Sequence, residues 1–407
     1  MFSAVIFILS PLIYLINKII PLNKGKVLFY GKRGLFHGNP KYLFNYLIEK
    51  QWGQPLWVTK SKSIYHNLSK QYSQKNLVLR KGIVGQFKYI YHYLTSTAII
   101  IRGRNDCWHM LRYTKTKRRK IINVGHGILV PGNKKTGIEI RSSGRSIRKE
   151  IRRRRAVTHY TMCSDIEKYI RASAYHVNIE NFVVTGLPLS DIIINCHNKK
   201  QTTVKLLIEL LNPKVDFVKV ILYAPTHRDA GRWKDSIHRS TFFPFTDFEL
   251  KRLQLFLEEN NAIMLLRTHD LENKFAIKDQ SQTKSIIDDK RIFYFSHSVL
   301  LDVNEILPVV DLLITDFSTI ATDFLLCNRP IIYIPYDLKE YHRGIIFDYD
   351  TWTPGEKVYD FKQFLKTAHE YLAHPEKDSE HREQLKRMFH QYLDGNSCER
   401  ILKLIKN

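Results

Sequence analysis

At 407 residues, with 44% hydrophobic and 25% charged side chains, the chain has a globular composition, which excludes a disordered or fibrous protein and makes two domains the default. Lys+Arg 64 against Asp+Glu 39 leaves a net charge of +25, an imbalance that calls for an anionic partner: nucleic acid, anionic lipid or a phosphate-rich substrate. The five cysteines lie far apart with no Cys-x-x-Cys pair, which argues against a disulfide framework or a zinc site and fits a reducing compartment.

Residues 1–22 are almost wholly apolar but lack a basic start and a small-residue cleavage site, so a cleaved signal peptide is not expected. The run is short for a bilayer span and carries Pro11. An in-plane membrane-associating helix is the expectation, with a marginal span or a buried helix as alternatives. From Lys26 onward, short Val- and Ile-rich runs alternate with helix-length segments: KVLFYG, PLWVT, LVLR, TAIIIRG, KIINVGHG, HYTMCSD and FVVTGLP. Runs of this kind read as parallel strands buried on both faces of an α/β sheet.

After a polar stretch at 195–203 the alternation restarts with VKVILYAPT, AIMLLRTH, RIFYFS, DLLITD and RPIIYIPYD. Two consecutive doubly wound, Rossmann-like domains facing a central cleft account for this, over 23–198 and 199–375, followed by a helical tail over 376–407. Basic clusters stand at Lys117–Lys120 and Arg145–Arg155. A solvated helix face is the plain account of such a cluster, but the second shares a domain with the apolar N-terminus, which favours docking on anionic lipid. Nucleic acid is the rival partner, yet no recognisable nucleic-acid motif accompanies the charge.

Four constellations carry chemistry. A strand runs into Gly125-His126-Gly127, where His126 is a candidate general base or simply caps the turn. Ala224-Pro-Thr226-His-Arg228-Asp229 ends another strand, and the fork of Arg228 suits a phosphate unless it pairs with a carboxylate. A third strand end presents Arg267 and His269. In the fourth, an apolar strand breaks at Asp316, and a helix is expected to start near Ser318 and to end around Asn328. There, backbone N–H groups and the hydroxyls of Ser318 and Thr319 offer a phosphate site, or Ser318 merely caps the helix.

In this order these segments resemble the CDP-glycerol glycerophosphotransferase family of teichoic-acid and capsule synthesis. Further matching features are Gly38-Asn-Pro-Lys-Tyr-Leu43, Val184–Asp191, Arg343-Gly344 and Pro354-Gly355. The departures are a longer spacing from His126 to Lys134 and Lys135, His227 before Arg228, and Asp270 after His269. The resemblance implies a GT-B fold and attack of an acceptor hydroxyl on the β-phosphorus of CDP-glycerol, with CMP leaving.

It places His126 as the base, with His269 beside it in the catalytic set. Arg228, Thr226, Arg267, His269, Ser318 and Thr319 would serve the donor, Asp316 and Asp323 would orient hydroxyls or the turn, and Arg343 would be a further phosphate contact. It implies no metal or other cofactor, a lipid-linked anionic acceptor, and a peripheral position on the cytoplasmic face of a bacterial membrane, with no nucleic acid. The alternatives are a ribitol-phosphate transferase using CDP-ribitol, a nucleotide-sugar GT-B glycosyltransferase, and a non-catalytic basic module.

Overall fold

The computed structural model describes residues 10–103, 107–111, 118–125, 148, 151–195, 200–226, 244–267, 289–339 and 347–407. They form two compact α/β units. Among the described residues the first unit comprises those up to 125, 148–192 and 390–407, and the second comprises 193–389.

The first unit is built on seven strands: β1 (Asn23–Tyr30), β2 (Gln54–Thr59), β3 (Leu77–Leu79), β4 (Ser96–Ile101), β5 (Lys120–Asn123), β6 (His159–Met162) and β7 (Phe182–Val184). All pair in parallel, in the order β3-β2-β1-β4-β5-β6-β7. The direction of winding reverses between β1 and β4, which makes their carboxyl ends a topological switch point. The apolar runs become strands because both faces are covered, as parallel sheets require. On one face Leu28, Leu56, Val78, Ile99 and Ile121 pack with the helices α1 (Ser10–Ile19), α4 (Gly82–Thr95) and the segment around α6 (Asp165–Tyr175). On the other, Val27, Phe29, Trp57, Ile100 and Ile122 pack with α2 (Asn39–Glu49) and α3 (Lys62–Ser69). The short α5 (Trp108–Leu111) follows β4, and α7 (Pro188–Asn195) follows β7.

Local chemistry sets the helix starts. Gly38 at φ 68 precedes α2, with Pro40 in its first turn, where a missing N–H costs nothing. Ser164 accepts from Glu167 N–H at 3.3 Å, and Glu167 in turn accepts from Cys163 N–H at 2.9 Å, an N-terminal lock of the capping-box type on α6.

The second unit has five strands, β8 (Lys219–Tyr223), β9 (Ala262–Leu266), β10 (Ile292–Tyr294), β11 (Leu312–Thr315) and β12 (Ile331–Tyr333), again parallel, in the order β10-β9-β8-β11-β12. Here the reversal falls between β8 and β11. Its helices are α8 (Lys200–Leu211), α9 (Leu250–Glu259), α10 (Ile320–Phe324), α11 (Tyr349–Trp352), α12 (Phe361–Ala373) and α13 (Ser379–Phe389). Helices α9 and α12 cover one face through Leu253, Phe256, Leu257, Phe361, Phe364 and Ala368.

Residues 376–407, read above as one tail, divide between the units. Helix α13 stays with the second, whereas α14 (Ser397–Lys406) buries Cys398, Ile401, Leu402 and Ile405 in the core of the first. Its first turn is capped from a distance: the Asp191 carboxylate accepts from Ser397 N–H at 2.8 Å and Cys398 N–H at 2.7 Å.

The N-terminal helix is ten residues long, and among the described residues no helix is long and apolar enough to cross a membrane. Arginines of the 117–120 cluster bind backbone carbonyls. Arg118 donates to the carbonyls of Asn17, Lys18 and Ile20 at the end of α1. Buried Arg119 donates to Asn17 Oδ1 and to the carbonyls of Leu94 and Ser96, so it joins α1 to α4 and β4.

Candidate active site

In the second unit the fold gathers two of the sequence constellations at one switch point. The chain leaving β8 at Tyr223 and the chain leaving β11 at Thr315 run side by side. Ala224 N–H donates to Ile314 O at 2.9 Å, and Thr315 Oγ1 donates to Ala224 O at 2.8 Å. Beyond this ladder the Asp316 carboxylate takes over. Its Oδ1 accepts from Thr226 N–H at 2.7 Å and from Phe317 N–H at 2.5 Å, so one buried side chain fixes both loops. Tyr349, on α11, donates its hydroxyl to Asp316 O at 2.9 Å from a third element. Burial, with the negative charge of Asp316 nearby, raises the Tyr349 phenol well above its ordinary pKa, and it stays a neutral donor.

Ser318 and Thr319 lie half-buried where α10 begins. Thr319 occupies the N-cap position and makes no side-chain cap hydrogen bond. Asp323 is buried one turn on and accepts from Asn304 Nδ2 at 3.0 Å, which ties α10 to the turn at Val303–Glu305. Arg267, expected at the donor phosphates, is 8% exposed. Its guanidinium donates to the carbonyls of Phe295, Ser296, Leu300 and Leu301 at 2.6–3.0 Å. That arginine builds the loop after β10.

In the first unit, the strand that leads to His126 is described as far as Gly125. Val124 N–H pairs with Ile101 O at 3.0 Å, and Gly125 turns at φ 60 with its N–H on Asn123 Oδ1 at 2.8 Å. Asn39, the second residue of the Gly38–Leu43 segment, holds this strand end. Its Nδ2 donates to Val124 O at 2.8 Å, and its Oδ1 accepts from Leu189 N–H at 2.9 Å. Three sequence features, around residues 39, 124 and 189, thus meet through one buried amide. His126, Arg228, His269 and Arg343 lie outside the described residues.

A feature missed in the sequence is a row of cations along the carboxyl edge of the first sheet. Lys32 follows β1, Lys60 follows β2, Arg80 follows β3 and Arg102 follows β4. Burial and the nearby Arg80 charge lower the Lys60 ammonium from its ordinary value. Arg102, at the β1/β4 switch point, contacts the His37 ring, and its guanidinium fills the space a Cβ at Gly38 would need. Each residue ends a different strand, so only the sheet order brings them into line. Among the described residues no group of His, Cys, Asp and Glu is arranged to hold a metal ion.

A family model described as "CDP-Glycerol:Poly(glycerophosphate) glycerophosphotransferase" matches residues 12–407. The chain belongs to the CDP-glycerol:poly(glycerophosphate) glycerophosphotransferase family. Within this family it is 26% identical over 402 residues to a teichoic acid ribitol-phosphate polymerase of Staphylococcus aureus, covering 95% of this chain and 63% of that protein. It is equally 26% identical over 394 residues to a teichoic acid glycerol-phosphate transferase of the same species, covering 93% of this chain and 91% of the relative. Among solved structures, the wall teichoic acid polymerase TagF superposes with a TM-score of 0.76 at 20% identity, over 99% of this chain and 95% of that one. One structure of a TagF variant was obtained after a soak with CDPG. At that identity the likeness establishes the fold, with α/β units and parallel sheets like those of GT-B enzymes.

Proposed function

We propose that the chain transfers glycerol phosphate from CDP-glycerol to a hydroxyl of a lipid-linked anionic acceptor in teichoic-acid or capsule synthesis, releasing CMP. The observation that carries this reading is the switch point between β8 and β11, where Asp316 locks the chain at Thr226 to the loop of Ser318 and Thr319. Ligands of doubly wound sheets sit at such points, and a diphosphate needs donors from both loops.

In the proposed reaction the acceptor oxygen forms a bond to the β-phosphorus of the donor. The bond from that phosphorus to the bridging oxygen breaks, and CMP carries the electron pair away. His126 takes the proton of the acceptor hydroxyl. Arg228, Ser318 and Thr319 offset charge on the diphosphate, and His269 and Arg343 add to that set. Such a transfer rests on positioning and charge neutralisation, and a divalent metal is not part of the proposed design.

A second reading, transfer of ribitol phosphate from CDP-ribitol, has in its favour the identity to the ribitol-phosphate polymerase, equal to that with the glycerol-phosphate transferase. Both readings set the chain to work at the cytoplasmic surface of a membrane.

Donor titration by calorimetry tests the site. His126→Ala is expected to keep CDP-glycerol affinity while turnover falls about a hundredfold or more, and Arg228→Ala to weaken donor binding about tenfold or more. A His126→Ala enzyme with full turnover would overturn the assignment of the base.

A further inference from the structure

The chain reaches His126 through a peptide unit whose two polar atoms are both held by asparagine side chains. In the unit joining Val124 to Gly125, the carbonyl oxygen accepts from Asn39 Nδ2 at 2.8 Å, and the N–H donates to Asn123 Oδ1 at 2.8 Å. Gly125 follows at φ 60. Glycine populates positive and negative φ about as readily, so a peptide beside it turns over easily unless its plane is held. Here one asparagine holds the oxygen and the other holds the N–H.

The sheet itself does not supply this clamp. Strand β5 pairs with β4 as far as Asn123, and one step on Val124 N–H still donates to Ile101 O at 3.0 Å. The Val124 carbonyl is met instead by a side chain at the start of α2, the helix that follows β1, with β4 lying between β1 and β5 in the sheet. Asn39 is 1% exposed, and Leu189 N–H, at the start of α7, donates to its Oδ1 at 2.9 Å. That bond fixes which way the amide points, so Nδ2 faces Val124 O, and the amide serves as acceptor and donor at once. An aspartate of the same shape would keep the Leu189 bond and set an oxygen against the carbonyl.

We propose, on the reading of His126 as the base, that Asn39 is a positioning residue for the transfer: with Asn123 it clamps the Val124–Gly125 peptide and so sets the direction in which the chain enters His126. Asn39 acts through that histidine and takes no part in proton transfer or in holding the nucleotide. A reacting group misplaced by about 1 Å can cost about a hundredfold in rate, so releasing the clamp falls on turnover and leaves nucleotide affinity alone. An asparagine that served stability only would leave the contribution of the imidazole intact. The two roles therefore separate when His126 is removed.

The test is a double-mutant cycle on the full-length protein. Acceptor-dependent release of radiolabelled CMP is measured with whichever of CDP-glycerol and CDP-ribitol supports turnover, alongside calorimetric affinity for that nucleotide and the melting temperature. Asn39→Asp is expected to lower kcat about tenfold or more, to leave nucleotide affinity within about twofold, and to cause no further loss when placed in His126→Ala. Asn123→Ala, which removes the other arm of the clamp, should behave in the same way, and it carries the test if Asn39→Asp does not fold. Full turnover in the folded Asn39→Asp enzyme would overturn the proposal, as would affinity that falls in step with turnover. If His126→Ala is slow and the Asn39 substitution slows it again by the same factor, the proposal fails alone and the base assignment stands. Full turnover in His126→Ala would overturn both.

Discussion

Asp316 is the residue on which the proposed donor site turns. It is buried, and it spends one oxygen on two backbone N–H groups from separate loops, bonds that contribute about 1.5–3 kcal/mol each when the acceptor is ionised. Asp316→Ala should therefore lower stability by roughly 3 kcal/mol and weaken CDP-glycerol binding at least about tenfold, read by thermal melting and donor titration. Asp316 stood out in the sequence as a residue breaking a strand, but its partner at Thr226 could not be read, because the two are 90 positions apart and meet only through the pairing of β8 with β11. Arg267 shows the opposite case. An arginine at a strand end suggests a phosphate, whereas four carbonyls of a later loop hold it.

A second residue-scale prediction concerns acid. Burial, reinforced by Lys26 of β1 and Lys88 of α4, depresses His92 from 6.5 to about 4, and burial with Lys120 of β5 lowers His159 as well. Both rings are neutral in the folded state near neutral pH. Below about pH 6.5 the unfolded chain binds protons that the folded chain refuses, so the stability present above that pH is lost as pH falls towards about 4. Melting temperatures should drop through this window, and His92→Gln should flatten the slope. An unchanged slope in that variant would assign the acid sensitivity elsewhere.

At the scale of elements, helix α14 gives the firmest prediction. It returns to the first unit from the far end of the chain and buries four apolar side chains there. At about 1.5–3 kcal/mol each, their loss rivals the whole stability of a domain, about 5–15 kcal/mol. Truncation after Phe389 should leave the first unit unfolded, as lost chemical-shift dispersion or rapid proteolysis would show. Asp191→Ala, which removes only the cap, should cost about 1–2 kcal/mol.

The strands were legible because parallel sheets covered on both faces demand continuous apolar runs, as in KVLFYG and DLLITD. The return of α14 was not, since a helical period says nothing about which sheet receives it. The outward stripe of α4, where Ile83, Val84 and Phe87 are exposed, was hidden for a related reason: in GIVGQFKYIYHYLT the apolar residues fall on more than one side of the helix, and period alone cannot separate core from surface. Arg118 and Arg119 read as one charge cluster, although one of them is buried.

For the whole molecule, the chain belongs to the family named above, and the two units divide the candidate residues of the proposed reaction between them. The first carries Asn39, Gly125 and the strand end before His126, and the second carries the Asp316 latch and the start of α10. The motifs between residues 38 and 355 are thus shared out over two α/β units. The chain covers 63% of the ribitol-phosphate polymerase and 91% of the glycerol-phosphate transferase, at the same identity. The choice of polyol is therefore a matter for experiment.

The direct measurement is CMP release by the purified protein with CDP-glycerol and CDP-ribitol in parallel, with and without a synthetic lipid-linked glycerol-phosphate acceptor, in the presence of EDTA. The proposed account predicts acceptor-dependent CMP from CDP-glycerol, undiminished by the chelator and lowered about a hundredfold or more in His126→Ala. CMP from CDP-ribitol alone would transfer the account to the other polyol. No CMP from either donor, with the protein folded and acceptor present, would contradict it.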